Sequence, residues 1–204
     1  MNPARTAAGA TRESRHPSDA TDGAVSAVAI RRATPSDATE VARMVGEIAA
    51  HEGQASHVHA DAARWRDLLK RAEVVVLVAE RHGAALGYVS AVRQLHLWTG
   101  GDVLNLDDLY VRPGHRDAGI GRRLMAALAA LAAPDRLLIR WGMEADNVDA
   151  QRFYRRLGAT LRPKALAAWS PSAYADLAAA SPRRAPGCEP GGFTGPSDTS
   201  VRES

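Results

Sequence analysis

Two adjacent carboxylates, Asp107 and Asp108, stand in a mostly apolar run, Leu104–Val111, that reads as a strand. A carboxylate in a strand bound for the interior costs free energy unless it is paired or used, so this pair points to a site. The run leads into the turn Arg116-Asp117-Ala118-Gly119-Ile120-Gly121, which opens a helix. Backbone N–H groups of such a turn, with the positive end of the helix behind them, can cradle an anion such as a pyrophosphate. The turn is not a nucleotide P-loop, because no Gly-Lys-Ser/Thr follows it. Nor is it the dinucleotide fingerprint, because Gly-x-Gly-x-x-Gly is absent.

The elements that must position these groups follow from hydrophobic spacing. Val28–Arg31 reads as a short strand. Thr34-Pro35-Ser36-Asp37 has the spacing of a capping box with proline at the first helical position. Val41, Met44, Val45 and Ile48 then recur at helical spacing to about His51. A second helix is expected over Ala60–Arg71. Val74–Glu80 is a continuous apolar strand, turned by Arg81–Ala84 into a second over Leu86–Leu97. After the glycine turn, Ile120, Leu124, Leu128 and Leu131 mark one helix face, ended by Pro134. Leu137–Met143 reads as a strand, and Val148–Leu157 as a short helix capped by Gly158. Thr160–Trp169 and Tyr174–Ala180 are expected as a last strand and helix. The sum is an α/β fold with a mixed sheet of six or seven strands and flanking helices.

Composition narrows the possibilities. A chain of 204 residues holds one domain of ordinary size with extensions. Residues 1–26 and the Pro/Gly-rich residues 181–204 read as disordered, leaving 27–180 as the domain. A single cysteine, Cys188, lies in the tail, so no intrachain disulfide and no cysteine nucleophile is expected, which suits a cytoplasmic protein. The net charge of +3 on a mixed surface argues against nucleic acid as a partner. No apolar run reaches the length of a membrane span, and the N-terminus has no signal-like apolar region. His57-x-His59 lacks a third ligand at a familiar spacing, so no metal is expected.

A second constellation changes the reading of the turn. Asn147-x-x-Ala150-x-x-Phe153-Tyr154-x-x-Leu157-Gly158-Ala159 follows the strand Leu137–Met143. Together, Arg116-x-x-Gly119-x-Gly121 and this segment resemble motifs A and B of the Gcn5-related N-acetyltransferases (GNAT). Asp107-Asp108-Leu109-Tyr110-Val111 and Phe153-Tyr154-Arg155-Arg156-Leu157-Gly158-Ala159 are similar to the diamine (spermidine/spermine) acetyltransferase branch. Asp107 stands there in place of a glutamate, and His51 in place of a tyrosine.

The resemblance implies a sheet splayed at the cofactor site and transfer of acetyl from acetyl-coenzyme A to a primary amine by direct attack. The amine would be polyamine-like or lysine-like, with aminoglycosides and protein amino groups as alternatives. A coenzyme A-binding module without catalysis is the alternative from another class. The implied cofactor residues are Leu109, Tyr110 and Val111 for the pantetheine arm, Arg116, Asp117, Ala118, Gly119, Ile120, Gly121 and Arg122 for the pyrophosphate, and Asn147. Tyr154 would protonate the leaving thiolate, since an unperturbed phenol near pKa 10 is close to an alkyl thiol. Asp107, or Asp108 through water, would take the amine proton, with Glu52 and Glu144 adding negative potential. Trp98, Trp141 and Trp169 are expected in the core or in a homodimer contact.

Overall fold

The computed structural model describes residues 27–180. The extensions expected over 1–26 and 181–204 lie outside the described residues. The chain divides into two compact units at Thr160.

The first unit is built on a five-stranded sheet whose strands lie side by side in chain order. They are β1 (Ala29–Arg32), β2 (Val74–Arg81), β3 (Ala84–His96), β4 (Gly101–Val111) and β5 (Leu138–Arg140). The first four are antiparallel, and β5 runs parallel to β4. A parallel neighbour needs a crossover, which α3 (Ile120–Ala132) supplies. Helices α1 (Ala38–His51) and α2 (Ala62–Leu68) join β1 to β2, and α4 (Val148–Arg156) follows β5.

Both sheet faces are covered, which is why β2 reads as an unbroken apolar run. On one face Val41 and Met44 of α1 pack on Val76, Val78, Tyr88 and Tyr110. On α3, the apolar positions Ile120, Leu124, Leu128 and Ala132 are buried, and the helix packs on β2, β3 and β4. Leu124 and Leu128 are fully buried, each contributing roughly 1.5–3 kcal/mol of transfer free energy. Leu131, read as part of that face, is 44% exposed.

The start of the first helix forms as its sequence requires. The Thr34 N–H and hydroxyl both donate to Asp37 Oδ2, at 2.7 and 2.9 Å. A single 3-10 turn over Pro35–Asp37 then leads into α1. Arg31 clamps the same carboxylate with two bonds of 2.8 Å and reaches Glu80 on β2, so helix start and sheet are tied together.

Three expectations are corrected. The sheet has five strands among the described residues, not six or seven, because Thr160–Trp169 forms no strand. Pro163 has no N–H for a ladder, and Ala165, Ala167 and Ala168 have low strand propensity. The expected strand Leu137–Met143 is paired only over Leu138–Arg140, with Trp141 and Gly142 leaving the sheet. In the second unit, α5 (Pro171–Ala180) begins three residues before the expected start, with the Ser170 hydroxyl accepting the Ala173 N–H at 3.2 Å.

Candidate functional site

The short β5 has a direct consequence for β4. Only Val103, Leu104 and Asn105 of β4 pair with β5. From Leu106 to Val111 the strand keeps its β3 partner and, among the described residues, has no strand on its other side. This open half holds Leu109, Tyr110 and Val111, and it offers backbone groups to an extended ligand arm. Gly87 of β3 lies opposite Val111, and a Cβ there would meet the Tyr110 carbonyl oxygen at 2.3 Å. The path of this strand end therefore depends on a residue without a side chain.

The turn that follows is a run of free donors. No backbone N–H from Arg116 to Arg122 has a hydrogen-bond partner among the described residues; the pattern resumes with Arg123 donating to the Gly119 carbonyl at 3.1 Å. Asp117 and Gly119 adopt φ of 62° and 74°, and Gly119 stands as the N-cap of α3. Left-handed residues in such a turn form a concave nest of N–H groups, and the α3 dipole adds positive potential. Arg116 is held by its own Nε bond to the Val111 carbonyl at 3.1 Å. Arg122 is exposed, and no ion pair occupies it among the described residues. Open edge and donor run together fit an extended arm ending in a pyrophosphate.

The two acids sit in a β-bulge. Val89 pairs with Leu109 and Ala91 with Leu106, so Asp107 and Asp108 together face Ser90. A bulge re-aims side chains at strand irregularities, and here it treats the two acids differently. Asp108 is anchored: Tyr88 donates to its Oδ2 at 3.0 Å and Ser90 at 3.3 Å, while the Asp108 N–H donates to Ser90 Oγ at 3.1 Å. Asp107 is exposed and makes no hydrogen bond or ion pair among the described residues. Its carboxyl is nevertheless held above the usual range, first by desolvation against the sheet and then by the Asp108 charge. Tyr88 and Ser90 carried no signal in the sequence beyond their alternation in a strand.

Tyr154 lies on α4 and is 7% exposed, with its ring 4.6 Å from Trp141 and 5.1 Å from Phe153. Its hydroxyl makes no hydrogen bond among the described residues, and burial pushes the phenol up to about 12. The near match to a thiol expected of an unperturbed phenol is therefore corrected: this phenol is a weaker acid, and it stays protonated at every physiological pH. The Trp141 indole N–H is likewise buried and without a partner among the described residues. Asn147 caps α4, its Oδ1 accepting the Ala150 N–H at 3.0 Å. Phe153 also lies against Gly121, whose Cβ position is 3.5 Å from the ring. This contact joins α4 to the turn.

A cleft of about 610 Å³ opens between the C-terminal half of α1 and the end of β4, lined by Glu47, Ala50, His51, Tyr110, Arg112, Pro113 and Arg116. Arg112 fixes its wall: it binds Glu47 at 2.9 Å, Glu40 at 2.7 Å and the Ala85 carbonyl at 2.6 Å. Glu52, at the end of α1, is exposed, and its charge reaches the Tyr88 phenol together with that of Asp108. Glu144 lies in the β5–α4 loop, and its side chain makes no hydrogen bond or ion pair among the described residues. Trp98, read as core or interface, is 95% exposed at the β3–β4 turn, edge-on to His96. Trp169 packs against Tyr174 within the second unit. Among the described residues no three metal-ligating side chains converge, and no helix is long and apolar enough to cross a membrane.

Comparison with known proteins agrees with this geometry. Residues 42–159 match the acetyltransferase (GNAT) family. An uncharacterized N-acetyltransferase of Bacillus subtilis, YhfO, is 31% identical over 98 residues, 48% of this chain, and the chain spans 66% of that relative's length. Among solved structures, an aminoglycoside acetyltransferase from an uncultured soil metagenomic sample superposes with a TM-score of 0.61 at 18% identity, covering 70% of this chain and 97% of that one. A ribosomal-protein-alanine N-acetyltransferase of Brucella melitensis superposes at 0.57 and 22% identity, covering 70% and 98%. At these identities the two structures bear on the fold alone.

Proposed function

The chain belongs to the acetyltransferase (GNAT) family, and from that premise we propose that it transfers acetyl from acetyl-coenzyme A to a primary amine of a small, cationic molecule. The observation that carries the reading is the run of seven free N–H groups, Arg116 to Arg122, placed directly after the open half of β4. Bound there, acetyl-coenzyme A supplies an activated thioester. Leu109–Val111 hold its arm, and Arg116–Gly121 with Arg122 hold its pyrophosphate. The Asn147 carbonyl oxygen caps α4, which leaves its amide N–H groups for the arm.

In this proposal an arriving ammonium meets Asp108 and loses its proton to Asp107, whose raised carboxyl suits a base better than an ordinary aspartate. The free amine attacks the carbonyl carbon; a C–N bond forms and the C–S bond breaks. Backbone N–H groups near Tyr110 and Val111 stabilise the developing oxyanion; the Tyr154 hydroxyl gives its proton to the departing sulfur, and the second proton, shed by the acylated nitrogen, restores the phenol. Glu52 adds negative potential on the Asp108 side, whereas support for Glu144 is limited to its charge. Polyamine-like and lysine-like amines fit a pair of acids beside an open cleft. We further propose a homodimer in a reducing compartment; light scattering tests the first.

The test is thiol release from acetyl-coenzyme A over a panel of spermidine, lysine, an aminoglycoside and an N-terminal peptide amine, with mass detection of product. Acetylation of spermidine or lysine is expected. Tight acetyl-coenzyme A binding with no thiol release for any amine would replace the enzyme by a binding module. Acetylation of the peptide or the aminoglycoside alone would move the acceptor class.

A further inference from the structure

The Asp108 carboxylate is more constrained than a strand acid needs to be. Its Oδ2 accepts from Tyr88 and Ser90, at 3.0 and 3.3 Å, while its Oδ1 makes no hydrogen bond among the described residues. The donors come from inside the molecule: Tyr88 is 0% exposed and Ser90 5%. A phenol sealed in an apolar cluster costs free energy unless its hydroxyl is partnered, and this one spends its bond on a side chain two strand positions away across the sheet. Ser90 closes the arrangement, accepting the Asp108 N–H at 3.1 Å across the bulge. One carboxylate oxygen is thus pinned and the other presented. Glu52 adds a second negative charge to the same surroundings.

We infer that Tyr88 and Ser90 are positioning residues, which fix Asp108 as the carboxylate that docks the acceptor's ammonium group and leave the unpartnered Asp107 free for proton transfer. The inference rests on the reading of this bulge as the acceptor half of the site. Fixing the anion in advance removes rotamer freedom that docking would otherwise have to freeze. The bulge is what makes the division possible, because it sets two acids against one serine. In a regular ladder Asp107 and Asp108 would point to opposite faces.

Calorimetric binding of spermidine to the complex of the protein with coenzyme A reads this without turnover. Asp108→Asn is expected to weaken binding tenfold or more, Tyr88→Phe about tenfold and Ser90→Ala about threefold, with coenzyme A affinity unchanged in each. In the Asp108→Asn background, Tyr88→Phe is expected to add nothing, because its effect passes through the carboxylate. Equal weakening by Tyr88→Phe in both backgrounds would overturn the inference, as would Tyr88→Phe binding spermidine within twofold of the parent. Should Tyr88→Phe lose its coenzyme A affinity through misfolding, the same cycle on Ser90→Ala decides. A wild-type complex that binds no spermidine would overturn the acidic acceptor site itself, and this inference with it. Parent-like binding by the Tyr88 and Ser90 variants beside weakened Asp108→Asn would overturn this inference and leave the acidic acceptor site standing.

Discussion

In the proposed reading, the two ends of the open strand meet a ligand with different material. At the turn, Arg116 to Arg122 offer backbone N–H groups whose direction is set by φ at Asp117 and Gly119. At the bulge, Asp107 and Asp108 offer carboxylates, and what separates them is two hydroxyls on the neighbouring strand. Recognition by backbone survives most changes of side chain, provided the chain keeps its path. Recognition by carboxylates can be reset by a single atom on a residue that touches no ligand. The donor half should therefore respond to glycine substitutions and the acceptor half to isosteric ones.

The largest effect is expected at Tyr154, the proposed donor of the sulfur's proton. Tyr154→Phe should lower turnover by about 10²–10⁴ with little change in the KM for acetyl-coenzyme A, read by thiol-release kinetics. Because burial holds the phenol at about 12, its ionisation adds no alkaline fall in kcat across the ordinary range. Unchanged turnover would assign the sulfur's proton to water. Asp107→Asn is expected next, at about 10². In the proposed role Asp107 is a base only when ionised, and its carboxyl is held above the usual range. Activity should thus fall as pH drops through that raised value, at a higher pH than an unperturbed aspartate near 3.9 would give. Asparagine should abolish the acidic limb; a limb left intact would shift the role from Asp107.

Gly87→Ala probes the donor half through conformation alone. The added Cβ meets a backbone oxygen at 2.3 Å, so the end of β4 must move. We expect a KM for acetyl-coenzyme A about tenfold higher and a lower melting temperature, with the amine KM less affected. A change confined to the amine KM would break the proposed division of the strand.

These two halves were unequally legible in the sequence. The donor turn is contiguous, and its glycines and the helix behind it announce themselves within a dozen residues. The helix start at Thr34–Asp37 was legible for the same reason. Asp107 and Asp108 were visible as acids in a strand, but not their separate surroundings. The partners of Asp108 lie eighteen and twenty residues away, and the contact depends on a one-residue slip in register, which composition does not encode. The strand count failed where hydrophobicity was read without pairing: Thr160–Trp169 holds apolar residues but carries Pro163. The early end of β5, which opens the site, is also a pairing event. Of the two places expected for Trp98, its exposure removes the core, because an aromatic type alone cannot distinguish a core from a hairpin turn.

Asp37→Asn, the smallest expected effect, tests whether the division is confined to β4. Asp37 is tied to Arg31 by two bonds of 2.8 Å and to Thr34 by bonds of 2.7 and 2.9 Å. The Arg31 guanidinium holds its carboxyl well below the usual carboxylate range. A depressed value means that its stabilisation is present above the unfolded pKa, about 3.9, and is lost as pH falls toward the folded value. Asparagine keeps the shape but loses the charge, so we expect a cost of about 1 kcal/mol near neutrality. Thermal melts should show that gap closing as pH falls below about 4. Neither KM should move, since no contact links Asp37 to the turn or the bulge. Yet Asp37 is the N-cap of α1, which runs from Ala38 to His51, one residue short of Glu52. A rise in the amine KM alone would show that the helix start is transmitted along α1 to the acceptor side, and that the acceptor half extends beyond the bulge.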